Sequence, residues 1–175
     1  MKVIGISGKA GHGKDETAKI LKYKLESFGN KVLVIHYADY LKHLAKVIYN
    51  WNGEKDEYGR TLLQSLGQQA REINKNYWVD VVYNFICVFG NNYDYIIIPD
   101  NRHKNEIEYL IEKDLDVTTI RVNRIGYENW LTKEQRNHIS ETALDNYTFD
   151  IYLDVYGGID YLEKLVDNVI ENNNL

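Results

Sequence analysis

Short apolar runs alternate along the chain with longer stretches whose apolar residues recur every three or four positions. Residues 2–7 read as a buried strand, and residues 14–28 as an amphipathic helix with Ala18, Leu21, Leu25 and Phe28 on one stripe. Gly29-Asn30 ends that helix. Residues 31–37 form a second strand, and Asp39 caps a helix carrying Leu41, Leu44, Ala45 and Ile48. After a charged polar loop, 51–59, come helices over 60–73 and 77–89, joined by the polar residues 74–76. A third strand, 93–98, runs into Pro99-Asp100-Asn101-Arg102, and a helix with Ile107, Leu110 and Ile111 leads to the strand 117–122. Residues 123–137 are polar, 149–155 are the last strand, Gly157-Gly158 is a turn and 159–170 the closing helix. The Asn-rich end beyond it should fray. Alternating helices and buried strands predict an α/β fold: a five-stranded parallel sheet covered by helices on both faces.

Composition narrows the function classes. The chain of 175 residues suits a single domain spanning 1–175, and 44% hydrophobic with 27% charged residues is ordinary for a soluble protein. A net charge of −5 argues against a partner that is a nucleic-acid polymer, which needs clustered Lys and Arg. No stretch is long enough to span a membrane and no signal peptide is visible, so a cytoplasmic location is expected. The lone Cys87 excludes an intrachain disulfide, and its apolar neighbours predict a buried, inert thiol. Fifteen tyrosines offer material for a homodimer face.

The chemistry starts at Gly8-Lys9-Ala10-Gly11-His12-Gly13-Lys14, which fits the phosphate-loop pattern G-x-x-x-x-G-K between a strand and a helix. Such glycines let successive N–H groups turn toward an anion; the helix adds its positive end and Lys14 a mobile charge for β- and γ-phosphates. Asp15 stands where a Ser or Thr hydroxyl usually ligates Mg²⁺, and Glu16 follows. A carboxylate is a good hard-cation ligand, so Asp15 is the expected metal residue; it also suits the positive helix end.

Ligands of open parallel sheets bind beyond the carboxyl ends of the strands. Those ends deliver Asp39 and Lys42, Asp100 and Arg102, and Arg121 and Arg124. Arg102 offers a planar fork for the phosphate of an acceptor, and Asp100 could hold Mg²⁺ through water or fix Arg102. Arg60, Gln64, Gly67 and Arg71 recur at helical spacing along one side, with Leu62, Leu63 and Leu66 left for the core. Gly67 within a helix, costing about 1 kcal/mol against Ala, suggests close approach of backbone or ligand, and Gln64 suits a base edge. The segment with Arg121, Arg124, Trp130, Lys133 and Arg136 could form a lid whose arginines stabilise a transferred phosphoryl group. The five histidines show no metal-ligand spacing.

Five stretches together resemble the deoxynucleoside monophosphate kinase family of P-loop kinases, the kind found in bacteriophages. They are Gly8 through Asp15, Tyr37 through Lys42, Arg60 through Arg71 with Trp78, Ile98 through Arg102 with Asn105-Glu106, and Ser140-Glu141 with Leu144-Asp145. The resemblance implies a three-layer P-loop kinase fold with a helical acceptor-binding insertion at about 39–90 and a lid at about 123–140. It implies transfer of the ATP γ-phosphoryl to a nucleoside 5′-monophosphate with Mg²⁺, in the host cytoplasm for a phage-encoded chain. Carried onto this sequence, Gly8 through Glu16, with Lys14, would hold ATP, and Asp15 its metal. Asp39, Lys42, Arg60, Gln64, Gly67, Arg71, Trp78, Asp100 and Arg102 would line the acceptor site. Arg121, Arg124 and Arg136 would close over the phosphates or adenine. The sequence departs from the family at Glu16, where Thr is expected, and Thr17 lies one helical step too far round to replace it. Two other readings stand beside this one: a kinase of another phosphorylated acceptor, of the dephospho-coenzyme A or phosphomevalonate type, and a non-catalytic ATP-binding switch.

Overall fold

The computed structural model describes residues 1–173 and 175. Five strands, β1 (Lys2–Ser7), β2 (Val32–Val34), β3 (Tyr95–Asn101), β4 (Asp116–Arg124) and β5 (Ile151–Val155), form one parallel sheet in the order β2-β3-β1-β4-β5. Period-two alternation buries both faces. Ile4, Ile6, Ile97 and Ile120 pack with Ala18, Leu21 and Leu25 of α1 (Lys14–Ser27) and with Leu162 and Val166 of α8 (Ile159–Asn173). Val3, Ile96 and Ile98 face the other way, onto Val79, Val82 and Ile86 of α4 (Tyr77–Phe89) and Leu110 of α5 (Asn105–Glu112). The strands read as continuous apolar runs because neither face meets water.

Between β2 and β3 the chain inserts α2 (Ala38–Tyr49), α3 (Glu57–Ile73), α4 and a 3-10 turn (Gly90–Asn92). Between β4 and β5 lie the short helices α6 (Lys133–Asn137), held by a Thr132/Gln135 capping box, and α7 (Ile139–Thr142). Since β1 sits between β3 and β4, the chain leaves the central strand toward one edge and returns to the other side. The loop after β1 therefore occupies the switch point where such sheets bind ligands. Among the described residues no helix is long and apolar enough to cross a membrane.

Several expectations from the pattern need correction. Asp39 is not the cap of α2: it lies inside the first turn, and the helix start is capped from β3, where Asp100 accepts the N–H groups of Tyr37 (2.9 Å) and Ala38 (3.0 Å). β3 continues through Pro99 to Asn101, and its pairing slips there: Gly5 faces Ile98 but Ser7 faces Asn101, so β3 carries one extra residue. Pro99, lacking an N–H, is accommodated at that irregularity. α3 starts earlier than its apolar pattern because Asp56 accepts the Gly59 N–H at 2.7 Å. Phe28 is 70% exposed, since it is the C-cap of α1 rather than part of its stripe. Cys87 is exposed, about 100° round the helix from buried Ile86. β2 is only three residues long, whereas β4 runs on to Arg124, β5 begins at Ile151 and α8 continues to Asn173; Asn174, in the stretch expected to fray, lies outside the described residues.

Candidate active site

Two chambers open side by side beyond the carboxyl ends of β1, β2 and β3 and share a wall. The first is bounded by Ala10, Gly11, Gly13, Lys14, Asp15 and Glu16, with His36 and Trp130 opposite. The second lies against α2, α3 and α4, where Leu41, Leu63, Gln64, Gly67, Arg71 and Trp78 form its sides. Ala38, Lys42, Lys55, Arg60, Asp100 and Arg102 belong to both.

The phosphate loop is shaped by its glycines. Gly11 (φ 77°) and Gly13 (φ 93°) occupy the left-handed region, and a Cβ on Gly8 would lie 2.6 Å from the Val122 carbonyl of β4. Lys14 is 8% exposed and folds back so that Nζ donates to the Lys9 carbonyl at 3.0 Å. Burial, with the neighbouring Arg102 guanidinium, brings its ammonium down to about 8. Asp15 faces His36, whose Nε2 lies 3.7 Å away; this contact holds the carboxyl below its ordinary range and raises the imidazole. Thr17 is fully buried and its hydroxyl donates to the Gly13 carbonyl at 2.9 Å, so it is unavailable to a nucleotide. Glu16 lines the first chamber and pairs with Lys19 at 3.2 Å.

Two carboxylates from the segment after β4 close onto this loop. Glu141 accepts the Ala10 N–H at 3.0 Å and pairs with Arg102 Nη1, which also donates to the Ser140 carbonyl at 3.0 Å. Asp145 bridges Lys9 (3.0 Å) and Arg121 (3.3 Å), and Arg121 donates to Ser7 Oγ at 3.1 Å. Behind Arg102, buried Glu106 accepts the Arg102 N–H at 2.6 Å, the His103 N–H at 3.1 Å and Arg71 Nη2 at 3.2 Å. Burial pushes the Glu106 carboxyl up to about 7, against the pull of Arg71 and those N–H groups. The carboxylate thus positions two arginines at once.

In the second chamber the face carrying Arg60, Gln64, Gly67 and Arg71 lies along one wall, and Leu63 joins it instead of the core. Close approach explains Gly67: a Cβ there would meet Arg71 Nη1 at 3.1 Å and Leu41 Cδ2 at 3.6 Å, and its carbonyl accepts the Trp78 indole at 3.2 Å. Asp39 lines neither chamber; it pairs with His36 and Lys42, each at 3.2 Å. Gly8, Lys9, His12, Arg121, Arg124 and Arg136 also stay outside both walls. His12 Nδ1 accepts the Arg124 N–H at 3.1 Å, and the Arg124 guanidinium covers the Tyr127 ring at 4.2 Å. Arg136 is spent within its own segment, on Glu128 and on the carbonyls of Leu131 (2.9 Å) and Asn129 (2.7 Å).

Lys55 and His36 are site residues that the sequence did not single out, and Glu106 and Glu141 stood only within the family-like stretches, without an assigned role. His36 follows β2, and strand-end position was the available signal; Lys55 sits in a loop with no periodicity, and Glu106 and Glu141 lie in short helices whose faces are hard to read.

A phosphate loop at the switch point of a five-stranded parallel sheet, opening into a second cationic chamber, defines a P-loop kinase fold. Solved structures share it: shikimate kinase from Aquifex aeolicus superposes with a TM-score of 0.53 at 13% identity, covering 98% of each chain. Thymidylate kinase from Candida albicans gives 0.50 at 15% identity over 99% of this chain and 92% of that one. The family model described as deoxynucleotide monophosphate kinase matches residues 27–166, and the chain belongs to that family. The deoxynucleotide monophosphate kinase of Enterobacteria phage T4 is 27% identical over 124 residues, 69% of this chain and 48% of that protein. Its counterpart from Escherichia phage RB69 is 25% identical over 114 residues, 63% of this chain and 44% of that protein. The chain therefore spans less than half the length of these relatives. The family-model match begins at residue 27, after the phosphate loop, so for that match the loop stands on its own geometry.

Proposed function

We propose that the protein transfers the γ-phosphoryl group of ATP to a deoxynucleoside 5′-monophosphate, giving ADP and the diphosphate. The observation that carries this reading is the shared wall: the phosphate-loop chamber and the helix-walled chamber meet at Lys42, Lys55, Arg60 and Arg102, so two anionic ligands would meet phosphate to phosphate.

ATP enters the first chamber, where loop N–H groups and Lys14 hold its β- and γ-phosphates once Lys14 leaves the Lys9 carbonyl. The acceptor takes the second chamber, with its phosphate on the Arg102 fork, its base against the Gln64 amide and the α3 face, and Trp78 beneath. Residues from about 39 to 90 form the acceptor-binding part, and those from about 123 to 140 the lid, which must rearrange before Arg124 or Arg136 can reach a phosphate. An oxygen of the acceptor phosphate attacks the γ-phosphorus as the bond to the departing ADP oxygen breaks. That oxygen is already anionic, so positioning and charge neutralisation carry the rate without a dedicated base.

The described residues contain no group of three or more His, Cys, Asp or Glu suited to a metal cage. Asp15, held ionised beside Lys14, fits a Mg²⁺ ion that takes one carboxylate and otherwise water and phosphate oxygens. When bound, that ion supplies charge neutralisation at the phosphates.

A coupled ADP-release assay with Mg²⁺-ATP and a panel of ribo- and deoxynucleoside monophosphates tests the reading. It predicts turnover with a deoxynucleotide subset, lost in a folded Arg102→Ala protein. ATP binding without turnover on any monophosphate would refute it and bring forward other phosphorylated acceptors.

A further inference from the structure

The connection between α2 and α3 looks like an ordinary charged loop, yet it is built. Trp51 is buried; its Nε1 donates to the Glu54 carbonyl at 2.9 Å and its N–H reaches the Ala45 carbonyl at 3.3 Å. Asn52 Oδ1 accepts the Glu54 N–H at 2.9 Å, and Asp56 anchors the far end through the Gly59 N–H. Gly59 is required, because a Cβ there would collide with the Glu54 carbonyl and lie 2.6 Å from Trp51 Nε1. This anchored loop sets Lys55 on the wall that both chambers share.

Four cations lie on that wall and three are engaged. Lys42 pairs with Asp39 at 3.2 Å, Arg102 with Glu141, and the Arg60 guanidinium covers the Trp130 ring at 5.4 Å. Lys55 makes no ion pair and no side-chain hydrogen bond among the described residues. Much of its side chain is solvent-accessible, but protein atoms crowding the ammonium lower its pKa, and Lys42, Arg60 and Arg102 lower it further against the pull of Asp15. An unpaired charge beside three like charges is unfavourable until an anion arrives.

We propose that Lys55 is a further catalytic residue, whose ammonium spans the terminal phosphate of the donor and the phosphate of the acceptor and stays with the phosphoryl group as it crosses. The proposal rests on the kinase reading above. Lysine suits this role, because a compact charge on a flexible four-carbon stem can follow a moving group, whereas an arginine fork fixes one geometry. The bond to the acceptor oxygen forms as the bond to the ADP oxygen breaks, and Lys55 keeps its proton throughout. Its charge is worth most when the negative charge is spread over the equatorial oxygens in flight.

Two variants and two readouts test this. In steady-state kinetics, Lys55→Met should lower kcat by about 10²–10³-fold, the range for losing one oriented charge stabiliser, while Lys55→Arg, which keeps the charge but not the compact mobile ammonium, recovers only part of the loss. KM for either substrate should change less than about threefold, since the contact is strongest in the transition state. In calorimetry, adenosine joined through five phosphates to each of the four deoxynucleosides is compared with ADP alone. Lys55→Met should weaken the best linked analogue at least about tenfold more than ADP, because only the linked analogue fills both chambers. Unchanged kcat, or equal weakening of both ligands, would overturn the proposal. If the wild-type protein phosphorylates no monophosphate, the kinase reading fails and the Lys55 proposal falls with it; wild-type turnover that Lys55→Met leaves intact overturns the Lys55 proposal alone. Wild-type protein that turns over a monophosphate but binds no linked analogue overturns the spanning role of Lys55 and leaves the kinase reading standing.

Discussion

Lys14 illustrates how burial sets a working pH. Its ammonium titrates at about 8, because burial and Arg102 disfavour the charged form. Below that pH it is charged and ready for phosphate; above it the free protein must take up a proton to bind. ATP affinity should therefore fall as pH rises from 7 through about 8 and beyond, and Lys14→Met should abolish most of that dependence. Calorimetric titration in a series of buffers measures it, and a flat profile in the wild-type protein would contradict the assignment. Arg102 is prepared differently. Glu106 holds its backbone N–H and Glu141 its guanidinium, so the fork is aimed before any ligand arrives. The Glu141 carboxylate also occupies the Ala10 N–H, a place where an anion is welcome.

At the scale of elements, the loop between α2 and α3 is the part with most consequence for its size. Gly59→Ala forces a Cβ against the Glu54 carbonyl and the Trp51 indole, and the loop has to shift. Thermal or urea unfolding should show a loss of about 2 kcal/mol, typical of overpacking. Turnover should fall with it, as Lys55 and Arg60 lose their place; unchanged stability and rate would show that the loop yields freely. What the sequence made legible follows from the same physics. The phosphate loop and the Arg60–Arg71 face were readable because both are local patterns, a glycine spacing and a helical period. The Asp100 cap of α2 was not, because it joins residues 62 and 63 positions apart across two strands. Neither was the side on which Cys87 falls: the run 85–89 is apolar throughout, and only the packing of Val79, Val82 and Ile86 on the sheet fixes which face is inside.

At the scale of the molecule, the sheet order decides where chemistry can happen. β1 lies between β3 and β4, so the phosphate loop emerges beside Asp100 and Arg102 on one side and Arg121 on the other. The helices inserted after β2 then wall a second chamber against the first. The parallel sheet and its helices were evident from alternating apolar runs, but the strand order was not, since it depends on pairings distant in sequence. The lid illustrates the same limit. Its arginines were visible as residues, yet Arg136 is tied to its own segment and Arg124 to Tyr127, which only the assembled chain reveals. Direct transfer between facing chambers is the central claim. It is tested by incubating the protein with Mg²⁺ and ATP labelled at the γ-phosphorus, with one deoxynucleoside monophosphate at a time, and separating the products. The label should appear as the β-phosphate of a deoxynucleoside diphosphate. Label found only as inorganic phosphate, or left wholly in ATP, across every acceptor would contradict the account.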